Sequence, residues 1–594
     1  MGPGGETPAP LLLLQDGARF LRFASPTRVL EARSSAEVRP ALAQAEDALR
    51  SGRWVAGFLA YEAAGAWGLA TRPPDPEGPP VLWLGIFDEP TGVDGGALGA
   101  ELGSGRRAAS LVAVAPSPMR SPWRPDLDEA AHAAAVERLH DRIAAGDTYQ
   151  VNYTFALRAR SDEDPRDVFV RLAAAQRPRH AAFLDLGRFA VASASPELFF
   201  ALEEGVLTAR PMKGTAPRGP DAEADEKAAA ALRGSEKERA ENLMIVDMMR
   251  NDLGRVAEVG SVAVPVLFEV ERYPTLLQMT STVTGRTRAP LSAIFEALFP
   301  CASVTGAPKK RTMEIIAEVE PSPRGVYTGA IGWASPDGRA RFSVAIRTIV
   351  VDRARGAWSF GVGSGVVADS LAGREYAECL LKARILDETP FALLETLAFV
   401  PGSGYRRLEG HLERLVASAR YFGWSVDAGV VEGALRRAAA GLEKPHRIRL
   451  LVGPDGEAVT EAHPLPAPDG GRTRIGLAAR PVVRDDARLR HKTTRREVYE
   501  AARASRPDCD DVLLWNEDGE VTETSVANVA FSAEGGLVTP PLASGLLAGV
   551  ERAALLAEGR LREAVVRAAD LRPGQRLWLL NSVRGLWEAE FVGQ

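Results

Sequence analysis

Cysteine is scarce: Cys301, Cys379 and Cys509 are the three in 594 residues, and no two stand in a CxxC spacing. That excludes a disulfide framework and a thiolate zinc site, and it fits a reducing compartment. Net charge is also small, at −6 for the whole chain, so no broad basic field exists to hold nucleic acid or an anionic membrane. Any anionic ligand must be caught locally. An apolar run at residues 10–14 has no basic stretch before it and is too short for a signal segment or a membrane span. A soluble, cytoplasmic chain is expected. What is present is an ordinary globular composition, 46% hydrophobic and 25% charged, with length for roughly two to four domains.

The first part is rich in strand-like segments bounded by Gly or Pro, among them FLRF and VLWLGIFDEP. Residues 104–125, rich in Ser, Pro and Arg, read as a surface loop or connection. Helical spacing then runs from Leu127 to Ala145 and stops at Gly146. Near residues 387–391 the pattern restarts with the strand LLETLAFV. The expected division is 1–125, 126–387 and 388–594, with no internal repeat.

Polar residues set in apolar or Gly-rich surroundings mark a first candidate site. VASASPELFF places Glu197 between a Pro and an apolar run, where it is either a solvated strand end or an acid whose pKa burial raises. RPMKGTAPRG sets Lys213 in a loop of prolines and glycines. EKERAENLMIVDMMRNDLGRV reads as a helix with an apolar face of Leu243, Ile245, Val246 and Met249, and Glu241 one turn from Ile245. In GREYAECLLKA, Glu375 and Glu378 share a helix face, as a solvated acidic stripe or, with Glu241, as magnesium ligands. SVTGAPKKRTMEII, containing Thr305, and SFGVGSGVVADS, containing Gly363, are anion-friendly loops. With Arg347 in FSVAIRT they suggest a carboxylate held by backbone amides and a guanidinium.

These motifs, with GDTYQVN, YTGAIGW and AIRT, occur in the order found in the chorismate-utilising enzymes, which the first 385 or so residues resemble. The resemblance implies a large α/β (α+β) fold with two antiparallel sheets packed face to face. It also implies Mg²⁺ on Glu241 and Glu378 with Glu375 close by, and chorismate carboxylates on Arg347, Tyr327 and the turn near Gly363, with Thr305 and Gln150 as further substrate contacts. Isochorismate and salicylate synthases carry a lysine base where this chain has Gln150, so water activation is disfavoured. Anthranilate synthases have Ala where this chain has Lys213, and aminodeoxychorismate synthases have Lys. Lys213 then reads as a nucleophile toward C2 of the ring, with Glu197 protonating the departing C4 hydroxyl. The attacking amine must be neutral, and Arg210 or Arg218 are the cations expected beside it. Many relatives have a histidine in the segment YPTLLQMTSTVTG, read as Leu277 here.

DARLRHKTTRREVYE, DDVLLWNEDGEVTETSVANVAF and LASGLLAGVERAALLAEG mark a second site. The middle segment reads as a hairpin around Glu517, Asp518 and Gly519 that delivers Glu523; the last starts a helix near Gly549 whose free N–H groups suit phosphate. A lysine, a carboxylate and a phosphate cradle are what pyridoxal 5'-phosphate needs, although Lys492 among Arg490, His491, Arg495 and Arg496 is also a natural basic surface cluster. From about Leu393 the chain resembles the class IV, two-subdomain pyridoxal enzymes, especially 4-amino-4-deoxychorismate lyase. The resemblance implies Arg414 of HLERL on the phosphate, Lys492 as the Schiff-base lysine and Glu523 on the ring nitrogen. Many relatives have Thr in place of Glu551, so backbone N–H groups of Val550 and Glu551 are expected to hold phosphate with less side-chain help. The combined expectation is 4-aminobenzoate synthesis from chorismate and ammonia. No cysteine sits in a glutaminase-like elbow, so a separate glutamine amidotransferase subunit is the expected ammonia source, and class IV domains suggest a homodimer. The runner-up is an anthranilate synthase-like first half with an amino-acid transaminase.

Overall fold

The computed structural model describes residues 9–102, 122–465 and 473–593. Most of the span 104–125, expected as a surface connection, lies outside them, and its end, Arg124–Pro125, is a short strand. Contacts divide the chain into two compact units with the break between Pro390 and Phe391; Arg218–Ala228 is counted with the second unit. No helix among the described residues is long and apolar enough to cross a membrane.

In the first unit, Trp54–Leu59, Leu82–Phe87, Phe189–Ser195 and Ala330–Ala334 are buried along their whole length. Such unbroken apolar strands need cover on both faces. Two ten-stranded antiparallel sheets provide half of that cover. Leu12, Leu14, Leu184 and Val191 of one share a core with Phe58, Trp83, Ile331 and Trp333 of the other, so the sheets pack face to face, as expected. Helices cover the outer faces, through Val38, Leu42, Ile245 and Ile294 on one side and Phe169, Leu172 and Tyr376 on the other.

Six elements of this unit carry the site. They are β1 (Gln150–Arg160), β2 (Met212–Pro217), α1 (Glu236–Gly254), β3 (Leu276–Arg286), β4 (Ala357–Val366) and α2 (Ala372–Ala383). β4 pairs with β1 from end to end. β2 pairs with β3, but the register shifts between Met212 and Thr215, a bulge that re-aims the residues it contains, Lys213 and Gly214. On α1, Ile245, Val246 and Met249 are buried as expected, whereas Leu243 is 44% exposed. At about 100° per residue Leu243 lies on the far side of the helix from Ile245, so it does not belong to the apolar face.

In the second unit, β5 (Leu393–Val400) and β6 (His446–Val452) are the two inner strands of a four-stranded sheet covered by the helix α3 (Leu408–Phe422); Leu397, Leu415, Ile448 and Leu450 are in their shared core. An eight-stranded sheet has its own core around Ile475, Leu513, Val529 and Phe591, which makes the expected two subdomains. It contains the hairpin of β7 (Asp511–Trp515) and β8 (Val521–Thr524), turned at Gly519. The helix α4 (Val550–Ala557) follows, with Gly549 at its N-cap.

Candidate active sites

β2, β3, β4, α1 and α2 surround a cavity of about 210 Å³ in the first unit. Lys213 enters it from the bulge of β2, with its backbone held on both sides. Asn242 Nδ2 donates to the Lys213 carbonyl (3.0 Å), and Gln278 Nε2 donates to the Gly214 carbonyl (2.9 Å) while accepting from Thr215 Oγ1 (3.3 Å). The lysine side chain lies directly over Gly365, where a Cβ would come within 2.0 Å of Nζ and 2.7 Å of Gln150 Nε2. Glycine is therefore required there by the approach of two side chains rather than by a turn. The Oε1 of Gln150 is buried without a hydrogen-bond partner.

The charged neighbours of Lys213 differ from expectation. Arg210 binds Glu269 and Glu271, each at 2.7 Å, and Arg218 binds Asp225 at 2.6 and 3.0 Å. A carboxylate stands beside the amine instead, with Glu241 Oε2 3.7 Å from Nζ.

Glu197 is 2% exposed, so it is not a solvated strand end. Its carboxylate accepts from Ser303 Oγ (2.6 Å), and burial pushes it from the ordinary 4.5 up to about 7 against the lowering effect of that bond. Arg347 also lines the cavity. Its guanidinium lies 5.4 Å from the centre of the Tyr273 ring, it pairs with no carboxylate among the described residues, and burial lowers its pKa. An uncompensated guanidinium at a cavity wall is suited to an anion. Tyr327 lies across Gly361, whose added Cβ would meet its ring at 2.2 Å. Beyond Phe360, β4 pairs with β1 alone, and Gly361, Val362, Gly363 and Gly365 line the cavity.

Two expected residues stand elsewhere. Thr305 donates its hydroxyl to the carbonyls of Cys301 and Ala302 (3.2 Å each), so Ser303 and Val304 line the cavity in its place. Leu277 is fully buried and Gln278 lines the cavity. Alternation along a strand means that a one-residue shift exchanges faces, so β3 offers the site Leu276 and the amide of Gln278.

Glu241, Glu375 and Glu378 line this cavity together with Glu238, an all-oxygen donor set suited to a hard cation. Burial, then the charge of Glu241, raises the pKa of Glu238. In this arrangement each expected ligand has its own partner: Lys213 for Glu241, Ser370 Oγ (2.8 Å) for Glu375 and Lys382 (2.8 Å) for Glu378. No group of three acidic, His or Cys side chains among the described residues is close enough to hold a metal ion. The donor chemistry fits magnesium, and closing around a cation would require these carboxylates to turn from their present partners.

The second unit holds a cavity of about 540 Å³ that brings Lys492, Glu523 and Arg414 together. Burial, then the nearby Arg414 guanidinium, bring the Lys492 amine down to about 8. Glu523, 3% exposed, accepts from Tyr499 Oη (2.8 Å), Asn528 Nδ2 (3.1 Å) and the Leu547 N–H (3.2 Å), and burial pushes it up to about 7. Arg414 is held by a two-point pair with Glu395 (2.8 and 2.6 Å) and donates to the Ala548 carbonyl (3.0 Å), beside the start of α4. No side chain caps α4, and a Cβ on Gly549 would meet Asn528 Oδ1 at 1.8 Å, so its first N–H groups face a cradle that only glycine permits. The Glu551 side chain is paired with Arg406 (2.7 Å) and Arg407 (3.4 Å), leaving only its backbone available. Seven arginines but one carboxylate line the cavity, which suits polyanionic ligands. A lysine, a buried carboxylate and a phosphate cradle fit pyridoxal phosphate.

Sequence reasoning did not single out Asn242, Gln278, Ser303, Tyr499 or Asn528. None has a signal of its own, because each acts by binding a neighbour that the fold brings to it.

Residues 11–388 match the family model described as chorismate binding enzyme, and residues 392–590 match amino-transferase class IV. The class IV match implies pyridoxal phosphate. Aminodeoxychorismate synthase component 1 of Salmonella typhimurium is 43% identical over 274 residues, 46% of this chain and 60% of its own. Aminodeoxychorismate synthase of Streptomyces griseus is 44% identical over 268 residues, 44% of this chain and 37% of its own. Anthranilate synthase component 1 of Streptomyces coelicolor is 42% identical over 268 residues, 44% of this chain and 52% of its own. The chain thus spans three fifths or less of the length of these curated relatives. The crystal structure of anthranilate synthase component I from Streptococcus pneumoniae aligns with a TM-score of 0.52 at 26% identity, over 65% of this chain and 94% of its own. Identity this even does not choose between the two reactions.

Proposed function

Because the chain belongs to the chorismate-binding enzyme family, we propose that it makes 4-aminobenzoate from chorismate and ammonia, with amination in the first unit and loss of pyruvate in the second. The observation that carries the first step is that Lys213 and a raised, buried Glu197 line one cavity with an unpaired Arg347. Arg347 and Tyr327 hold the substrate carboxylates. The Lys213 amine attacks C2 of the ring, forming an N–C2 bond as the ring double bond shifts and the C4–O bond breaks; Glu197 gives its proton to that oxygen, which leaves as water. Ammonia then adds at C4 as the N–C2 bond breaks and Lys213 is released. Magnesium, held by Glu241, Glu375 and Glu378, would neutralise the ring carboxylate. Gln150 offers an amide where water-activating members have a lysine base, which disfavours hydroxylation. A separate glutamine amidotransferase subunit supplies the ammonia.

In the second unit Lys492 would anchor pyridoxal phosphate, Glu523 would pair with its ring nitrogen, and Arg414 with the Val550 and Glu551 N–H groups would hold its phosphate. The cofactor supplies an electron sink for bond breaking beside the substrate amine. The Lys492 amine would take the proton from the ring carbon and deliver one to the enolpyruvyl group as the C–O bond to the ring breaks, so that pyruvate leaves and the ring becomes aromatic. The second unit thus acts as a lyase rather than a transaminase.

Intact-protein mass spectrometry tests the first step. With chorismate and magnesium but no ammonia, the chain should gain one dehydrated substrate on Lys213, and ammonium should discharge it. The absence of that adduct, with an unchanged rate in Lys213→Ala, would overturn the nucleophile.

A further inference from the structure

The end of RPMKGTAPRG, Ala216–Gly219, does not line the first cavity. β2 ends at Pro217, and Arg218–Ala228 belongs to the second unit. There the Arg218 guanidinium, fixed by two bonds to Asp225, lies 4.5 Å from the centre of the Tyr421 ring and donates to the Tyr421 carbonyl (2.9 Å). Tyr421 Oη donates to the Gly219 carbonyl (2.6 Å). Gly219 donates its N–H to Asp225 (3.1 Å), and a Cβ on it would meet the Asp225 nitrogen at 2.2 Å, so no other residue fits. Tyr421 stacks on His491 with ring centres 4.2 Å apart at 26°, and His491 Nδ1 lies 3.0 Å from Ser418 Oγ. Burial lowers the pKa of His491 to about 4, so its ring is neutral at physiological pH. His491 immediately precedes Lys492, whose carbonyl is held by the Leu394 N–H (2.9 Å). A guanidinium, a phenol and an imidazole are thus layered behind the residue that carries the second site's amine.

We infer that Arg218, Gly219 and Tyr421 are positioning residues for Lys492, so that the loop bearing the first site's lysine also sets the geometry of the second site's. The inference rests on the reading of Lys492 as the cofactor lysine. It accounts for a segment that chorismate chemistry does not use. The backbone from Lys213 to Arg218 is five peptide bonds long.

The test uses the full chain and two mild variants. Tyr421→Phe keeps the stacked ring and loses the bond to Gly219; Arg218→Lys keeps a cation for Asp225 and loses the planar stack. Three quantities are read: borohydride-trapped pyridoxal phosphate on Lys492, acetic anhydride labelling of Lys492 in the cofactor-free chain from pH 6 to 10, and pyruvate release from supplied 4-amino-4-deoxychorismate. Wild type should carry the trapped cofactor on Lys492. Both variants should shift the midpoint of the labelling curve and release pyruvate about 10-fold more slowly, with chorismate amination within twofold of wild type. If labelling and pyruvate release in both variants stay within twofold while wild type carries the cofactor on Lys492, the positioning role is overturned and the lysine assignment stands. If wild type carries no cofactor there, the lysine assignment fails and the positioning role fails with it.

Discussion

In the proposed amination Glu197 would have to arrive protonated at the ring oxygen, and its burial favours that form at a cost that varies with pH. Its pKa in the folded chain, about 7, is above the ordinary 4.5, so the folded state holds the proton more tightly than the unfolded state between those values. Stability from this group is full below about 4.5 and falls as pH rises through 7. Acid competence falls through the same point. At a fixed concentration of free ammonia, the amination rate should decline above about pH 7. Glu197→Gln should remove that limb and slow amination by roughly 10²-fold, measured by stopped-flow loss of chorismate. The same reasoning applies to Gln278, which holds the carbonyl after Lys213. Gln278→Leu should lower kcat for amination about 10-fold with little change in KM, because it misplaces the attacking amine without touching the carboxylate contacts. In the second cavity, Tyr499→Phe removes a donor to Glu523 and should weaken pyridoxal phosphate binding by a factor of about 5 to 10, read by fluorescence titration.

At the level of elements, β4 explains its own glycines. Gly361 admits the Tyr327 ring and Gly365 admits Lys213 and Gln150, so the GVGSG run makes room for side chains from other elements. Gly365→Ala should therefore abolish amination while circular dichroism and melting remain close to wild type, since the new methyl displaces Lys213, the proposed nucleophile. Much of this was legible in the chain itself. The motifs, taken in order, carried a family resemblance that implied the two sheets and singled out the Lys213 loop and the Lys492 segment, which residue spacing alone did not do. Three kinds of information were not legible. Facing on β3 was lost, since Leu277 and Gln278 are adjacent and only pairing with β2 tells which points inward. The partners of Arg210 and Arg218 were lost, because Glu269 and Asp225 come from residues that no local pattern connects to them. The turning of Thr305 toward carbonyls of its own turn was lost for the opposite reason, since a hydroxyl in a loop satisfies itself locally when it can.

At the scale of the whole molecule, two cavities on one chain carry two sets of groups that do not substitute for each other. Lys213→Ala should lose amination yet still release pyruvate from supplied 4-amino-4-deoxychorismate. Lys492→Ala should aminate chorismate normally and accumulate 4-amino-4-deoxychorismate, as chromatography would show. Even sequence identity to aminodeoxychorismate and anthranilate synthases means that the product, and with it the role of Lys213, must be read from chemistry. The most direct measurement is the product of purified full-length chain supplied with chorismate, magnesium, pyridoxal phosphate and an ammonium salt. The account predicts 4-aminobenzoate and pyruvate in equal amounts; anthranilate as the main aromatic product would contradict it.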